Sequence, residues 1–248
     1  MRTIDLNCDL GEGAGRDAEL MPLITSANIA CGAHAGDEAT MRATVTLAKK
    51  HGVAIGAHPG FADRENFGRI EKVTSQDEVY QLVLTQAQAL RRLAQEAGAK
   101  VTHVKPHGAL YNMAARNALL ADAVAQAAYD CDPRLVLFGL AGSALVRAAE
   151  RCGLAVAQEV FADRTYHADG TLTLRGRPDA IITAEPAAVA QVLRMVREGK
   201  VRAVDGADVA IHADTICLHG DGPHPVEFAR RLRRELLTAG IEVKAHGA

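Results

Sequence analysis

The stretch Ile4–Glu12, with the sequence IDLNCDLGE, alternates polar and apolar side chains, and this pattern is the strongest indication of the fold. Successive side chains of a β-strand point to opposite faces, so Asp5, Asn7 and Asp9 share one face and the residues between them share the other. Three polar groups on the inner face of a buried strand are costly unless they bind something. We therefore predict a first strand whose inner face carries a functional site. The alternative is an edge strand with a solvated face, whereas an EF-hand loop is excluded because its glycine and its final glutamate are missing.

The composition excludes several classes of protein. The 248 residues contain 28 Lys and Arg against 30 Asp and Glu, and this net charge of −2 argues against binding of nucleic acid by bulk positive charge. Hydrophobic residues make up 48% of the chain, enough for a full core. No apolar run approaches the roughly 20 residues of a membrane helix, so no membrane partner is expected. The five scattered cysteines and the absence of a signal peptide predict a cytoplasmic protein with reduced thiols.

Short apolar runs alternate with amphipathic segments about seven times, which favours a parallel sheet covered by helices. At this length we predict one domain over residues 1–248, folded as a distorted (β/α) barrel of about seven parallel strands. A doubly wound open sheet is the alternative. The predicted strands are Thr3–Cys8, Ile24–Cys31, Val53–His58, Lys100–Lys105, Leu135–Leu140, Ala155–Phe161 and Thr215–His219. The clearest helices are Asp37–Lys50, one from the Ser75–Glu78 capping box to Gly98, one from Pro186 to Gly199, and Pro225–Thr238. Antiparallel excursions are expected at Tyr166–Arg175 and Val201–Ile211.

Polar residues follow several of the predicted strands, which is where the active site of such a barrel lies. A single histidine at a strand end is more often structural than catalytic. Here five strand ends carry histidine or paired acids next to glycine, and this agreement predicts that they converge on one site. The candidates are Asp5, Asn7, Asp9, Glu12, Asn28, His34, His58, Lys105, His107, Asp163, Arg164, His219 and Asp221.

Two kinds of chemistry fit these residues. In a metal-assisted hydrolase, Asp9, His34 and His58 would be the candidate ligands, and Asp5 or Glu12 would be the base. In a site without a tightly bound metal, carboxylates and histidines would move protons while Lys105 and Arg164 hold an anionic group. No GxSxG motif, P-loop or dinucleotide fingerprint is present. The residues alone leave both possibilities open.

Six ordered blocks of the sequence resemble the LamB/YcsF family, over about Thr3 to Val243. The blocks are DLNCDLGE at 5–12, SANIACGAHAGD at 26–37, GAHPG at 56–60, HVKPHGALYN at 103–112, EVFADR at 159–164 and CLHGD at 217–221. The resemblance implies a distorted barrel related to polysaccharide deacetylases. It also implies cleavage of 5-oxoproline (pyroglutamate) to L-glutamate, coupled to hydrolysis of ATP to ADP and phosphate, in a complex where this chain is the A component beside B and C subunits.

That reaction suggests roles for the candidates. A five-membered lactam is a stable amide, and phosphorylation of its carbonyl oxygen by ATP, expected with Mg²⁺, would make it a better electrophile. Substrate and nucleotide are expected to contact Asn7, Asn28, Lys105, Asp163, Arg164 and Asp221, with the two cations neutralising anionic charge. The expected catalytic residues, which hold Mg²⁺, activate water, move protons or orient substrate, are Asp5, Asp9, Glu12, His34, His58, His107 and His219. A metal-dependent deacetylase or amidase and a non-catalytic binding protein are the alternatives.

Overall fold

The computed structural model describes residues 2–219 and 224–247, and parallel strands form its centre. The strands of the described residues are β1 (Arg2–Leu10), β2 (Ser26–Ala30), β3 (Ala54–His58), β4 (Val101–Val104), β5 (Val136–Leu140), β6 (Ala155–Phe161), β7 (Lys200–Arg202), β8 (Asp208–Ala210), β9 (Thr215–Leu218) and β10 (Ile241–Val243). Seven of these form a ring in the order β1-β2-β3-β4-β5-β6-β9, and β1 closes it by pairing with β9. The predicted seven-stranded barrel is confirmed, and its closure excludes the open sheet.

Helices cover the outside of the barrel. They are α1 (Asp17–Leu20), α2 (Glu38–His51), α3 (Gln76–Glu96), α4 (Gly108–Arg116), α5 (Ala118–Cys131), α6 (Ala144–Cys152), α7 (Glu185–Glu198) and α8 (Pro225–Thr238), with a 3₁₀ turn at Met21–Leu23. The predicted caps are confirmed: the Asp37 side chain accepts from the Thr40 N–H, and Ser75 and Glu78 form the capping box. In the described part of the chain, no helix combines the length and the apolar character needed to cross a membrane.

Two features lie outside the barrel ring. The predicted antiparallel excursions are present, since β7 pairs with β8 and Tyr166 forms an antiparallel bridge with Leu172. Tyr166 is fully buried and its hydroxyl accepts the Phe161 N–H, which fixes this segment against the end of β6. The parallel strand β10 extends the sheet beside β1 and was not predicted, because three residues are too few to show a period.

The faces of β1 divide as the alternation predicts. Ile4, Leu6 and Cys8 belong to the hydrophobic core beneath the helices. Asp5 and Asn7 are 1% and 0% exposed and hydrogen-bond across the barrel interior, so the alternative of a solvated edge strand is wrong. The interior of this barrel is therefore filled mainly by hydrogen-bonded polar groups near β1, and each of them depends on its partners.

Gly56 on β3 gives a test of how tightly this interior is packed. A Cβ at Gly56 would lie 2.0 Å from Nε2 of His103, so Gly56→Ala must displace that ring and break its hydrogen bond. We expect Gly56→Ala to lower the free energy of unfolding by about 2 kcal/mol or more in urea titrations. Gly176→Ala is the control, because a Cβ there meets nothing within 4 Å. Equal stability of the two variants would contradict the packing described.

Candidate active site

The deepest predicted residue, Asp5, lies apart from the others. Its carboxylate accepts hydrogen bonds from the hydroxyls of Thr25, Ser26 and Thr215. Burial raises the pKa of Asp5, and these hydroxyls only partly oppose the effect. At about 3.3 Å per residue, the backbone of Asp5 lies roughly 13 Å along β1 from that of Asp9. Its expected catalytic role stays a prediction that this position does not favour.

The centre of the barrel holds an ammonium group between two carboxylates. Nζ of Lys105 lies 2.8 Å from Oε1 of Glu159 and 2.9 Å from Oδ1 of Asp9, and 3.1 Å from Sγ of Cys217. Burial would lower the pKa of Lys105, but the charges of Asp9 and Glu159 raise it well above its usual value. Lys105 is therefore a fixed cation whose donors already have partners.

Two asparagines support this group from below. The Asn7 amide donates to Oε1 of Glu159, and the Asn28 amide donates to Oδ1 of both Asn7 and Asp9 at 2.8 Å. Both asparagines are fully buried. They lie where they orient the carboxylates, and their expected contact with substrate or nucleotide stays a prediction.

Three histidines and Glu12 gather at the mouth of the barrel, at the carboxyl ends of the strands. Oε1 of Glu12 lies 3.2 Å from Nε2 of His34, 3.2 Å from Nδ1 of His107 and 3.7 Å from Nε2 of His58. The rings of His34 and His107 are stacked, with centroids 3.8 Å apart and planes 1° from parallel. Four separate segments thus bring ionisable groups to one point, as the sequence predicts.

Burial and neighbouring charges shift the pKa values of these groups in opposite directions. Burial lowers the pKa of His34 to about 4, although its bond to Glu12 opposes this. Burial alone would also lower the pKa of His58, but Asp9 and Glu12 raise it above its usual value. For Glu12, burial is outweighed by its contacts with the His107 and His34 imidazoles, which hold its pKa well below the usual range. The mouth therefore combines an ionised carboxylate with both a neutral and a readily charged imidazole.

The last predicted histidine, His219, directly follows β9 and pairs with Asp163. Nδ1 of His219 lies 2.9 Å from Oδ1 of Asp163, and the His219 ring faces Phe161 with centroids 5.8 Å apart. Burial would raise the pKa of Asp163, but His219 lowers it further than that. Among the described residues, Nε2 of His219 has no hydrogen-bond partner, and His219 lines a cavity at the mouth. That cavity has a volume of about 110 Å³ and is also lined by Asp9, His58, Lys105 and His107.

Arg164 also lines this cavity, but its guanidinium donates to the main-chain carbonyls of Thr173 and Ala180. It thereby holds the segment that includes Tyr166 and Leu172 over the barrel. Its expected role in binding an anion stays a prediction.

The structure brings most of the predicted residues together. Those at the mouth or lining its cavity are Asp9, Glu12, His34, His58, Lys105, His107, Asp163, Arg164 and His219. Asp221 lies outside the described residues. Glu159 and His103 were not among the predicted site residues. The alternation of side chains along a strand could have identified both residues. Glu159 shares the strand face of Asp163, and His103 shares that of Lys105 and His107.

The sequence profile of the LamB/YcsF family matches residues 4–248 of this chain. This chain belongs to the LamB/YcsF family. It is 57% identical to the A subunit of 5-oxoprolinase from Geobacillus kaustophilus, over 99% of this chain and 97% of that protein. It also resembles the crystal structure of a lactam utilization protein from Thermus thermophilus, with 46% identity, a TM-score of 0.91, and coverage of 98% of this chain and 99% of that one.

A more distant structural likeness concerns only the fold of this LamB/YcsF protein. The peptidoglycan deacetylase PdaC from Bacillus subtilis is 12% identical, with a TM-score of 0.51 over 98% of this chain and 87% of that one. The predicted relation to the polysaccharide deacetylase barrel is confirmed at the level of architecture.

Removal of the central ammonium should be strongly destabilising. Lys105→Met keeps much of the side-chain volume but leaves Asp9 and Glu159 buried without their cation. Loss of one partner of a buried ion pair costs about 3–5 kcal/mol, and we expect a decrease of that size in urea unfolding. Lys100→Met, at an exposed position, is the control and should unfold like the wild type. Wild-type stability of Lys105→Met would show that the carboxylates do not need the cation.

His103 should make stability depend on pH. Burial, followed by the charge of Lys105, lowers the pKa of His103 to about 3, whereas an imidazole of an unfolded chain titrates near 6.5. As the pH falls below about 6.5, the unfolded chain therefore binds a proton that the folded chain does not, and stability decreases by up to about 1.4 kcal/mol per pH unit. In urea titrations at pH 7.5, 6 and 5, His103→Gln should show a shallower decrease than the wild type. Parallel decreases would contradict this assignment.

Proposed function

We propose that this chain is the A subunit of an ATP-dependent 5-oxoprolinase and opens the lactam ring of 5-oxoproline to give L-glutamate. The observation that carries the proposal is the mouth itself, where carboxylates and histidines surround a cavity of about 110 Å³. The relatives support it, since a protein 57% identical over nearly the whole chain is the A subunit of a 5-oxoprolinase. Five unpaired cysteines are consistent with work in the reducing cytoplasm.

Ring opening needs a base for water and an acid for the ring nitrogen. Water adds to the carbonyl carbon, the C–N bond breaks, and the nitrogen takes up a proton to leave as an amine. His107, which lines the cavity beside Glu12, is placed to accept the proton of water. His219, held at Nδ1 by Asp163, is placed to deliver a proton from Nε2 across the cavity. ATP supplies phosphorylation of the carbonyl oxygen, which releases ADP and makes the carbon more electrophilic. Ring opening by the first water then leaves an acyl phosphate, and a second water releases phosphate to give glutamate.

The size of the cavity bears on the partners. It is smaller than the roughly 300–1,000 Å³ of sites that enclose drug-sized ligands, so it suits a five-membered ring better than a nucleotide. We propose that ATP and its Mg²⁺ reach the substrate from the open mouth, and that B and C subunits dock there. The relatives are themselves named as one subunit, which supports a complex of several chains.

A metal-dependent amidase or deacetylase is the second candidate. The group of Glu12 and three histidines favours it, because these residues offer ligand atoms that all lie within 4.8 Å of one another. The two candidates differ in their need for ATP. Release of glutamate from 5-oxoproline only when ATP and the partner subunits are present supports the first, and ATP-independent amide cleavage by this chain supports the second.

The His219–Asp163 pair gives the most direct test of the mechanism. Asp163→Asn keeps the shape of the side chain but removes the charge that orients His219. We expect the rate of glutamate formation by the complex reconstituted with B and C subunits to decrease by about 10²-fold or more. Asp9→Asn and His107→Ala should also abolish most of the activity.

Asp179→Asn is the matched control, because Asp179 is exposed, its carboxylate pairs with Arg177, and it does not line the cavity. It should leave the rate unchanged. Full activity of Asp163→Asn would refute the proposed role of His219, and full activity of every variant would refute the proposed function.

A further inference from the structure

Main-chain carbonyls fix the orientation of two histidine rings at the mouth. Nδ1 of His58 lies 2.7 Å from the carbonyl oxygen of Lys105, and Nε2 of His107 lies 2.8 Å from that of Phe67. A carbonyl only accepts, so each of these nitrogens carries the hydrogen. The other nitrogens, Nε2 of His58 and Nδ1 of His107, point toward each other at 2.9 Å. In their neutral forms both offer a lone pair to the same small space, and such an arrangement requires a cation or a proton between them.

The distances between the facing atoms fit a metal ion. Zinc–nitrogen and zinc–oxygen bonds of about 2.0–2.1 Å in a tetrahedron place neighbouring ligand atoms about 3.3–3.4 Å apart. The observed separations are 2.9 Å between His58 and His107, 3.2 Å from Glu12 to His34 and to His107, and 3.7 Å from Glu12 to His58. Glu12, His58 and His107, from three separate segments, thus place ligand atoms near three corners of a tetrahedron and leave the fourth corner open. The His34 ring is stacked parallel to that of His107, so the two rings cannot direct their lone pairs at one ion, and His34 contacts Glu12 instead. Carboxylate and imidazole are also ligands that zinc prefers.

The neighbouring group of Asp9, Cys217 and His219 already has a cation beside it. Its ligand atoms are also close together, but the ammonium of Lys105 already lies 2.9 Å from Asp9 and 3.1 Å from Cys217. A second cation there would be strongly repelled. Glu12, in contrast, has only imidazoles among its ion-pair partners in residues 2–219 and 224–247.

We propose that Glu12, His58 and His107 bind one divalent transition-metal ion, with zinc as the best fit, and that His34 positions Glu12. This set differs from the ligands expected from the sequence, because Glu12 and His107 enter and Asp9 and His34 leave. Oδ1 of Asp9 is bound by Lys105 and Asn28, and its Oδ2 lies 3.4 Å from Nε2 of His58. With an ion bound, His107 would be a ligand and could not accept the proton of water, and the ion would instead activate the water. Binding itself can be tested whether the reaction is ring opening or another amide cleavage.

Metal content and cobalt spectroscopy test it on the full chain. The protein is stripped with a chelator, given Zn²⁺ or Co²⁺, desalted, and assayed for bound metal by mass spectrometry. We expect about one ion per chain, intense visible bands of low-coordinate Co²⁺, and a higher melting temperature. Wild-type protein that retains no ion and shows no shift would overturn the proposal, and would mean that a proton alone lies between the two rings.

Variants identify the ligands. Glu12→Gln and His107→Gln should each weaken Co²⁺ binding by at least the 10- to 100-fold typical of disturbed metal sites. Asp9→Asn should retain the ion, as should His212→Gln, in which an exposed histidine is replaced. Circular dichroism confirms the fold of each variant. Loss of the ion from Asp9→Asn with retention by Glu12→Gln would overturn the ligand set in favour of Asp9, His34 and His58.

Discussion

The ammonium of Lys105 is the constraint on which the rest of the site depends. It lies between Asp9 and Glu159 in the buried interior of the barrel, and neither carboxylate can move without leaving a charge unpaired. Because Asp9 is held in this way, its negative charge stays beside His58 and raises the pKa of that imidazole. The electrostatics of the mouth thus begin one layer below it, with a residue whose own donors are already engaged.

Along the barrel axis, the residues that hold the carboxylates in place lie below the residues that can move protons or bind ions. Asn7 and Asn28 use their amides to orient carboxylates, and the groups able to move protons or bind ions stand above them. Loss of one member of a buried polar network is costly. Gly56 belongs to this network, because the His103 ring fills the space beside it and contacts Asn28. The barrel architecture is shared with a deacetylase that is 12% identical, and a shared fold does not by itself specify the chemistry of a site.

Much of this arrangement could be predicted from residue order, and the remainder has physical reasons for escaping prediction. The alternation through Ile4–Glu12 established which side chains face inward. It could not show that Asp5 lies too deep, because residues in the same phase look alike at every depth. The strand β10 was too short to show a period. The position of Glu12 among the three histidines depends on the loop after β1, whose path no strand pattern specifies.

The carbonyl of Phe67 is a part of the site that no side chain encodes. It sets which nitrogen of His107 carries hydrogen, and it does so from a residue with a positive φ of 55°, next to Gly68, where any Cβ would press on His34. The path of this loop therefore determines which nitrogen of His107 carries hydrogen, while the Phe67 ring packs edge-on against His34 and His107, with centroids 5.7 and 5.4 Å away. For protein engineering, insertions or deletions between β3 and α3 would disturb proton placement at the mouth even where Phe67 itself is kept.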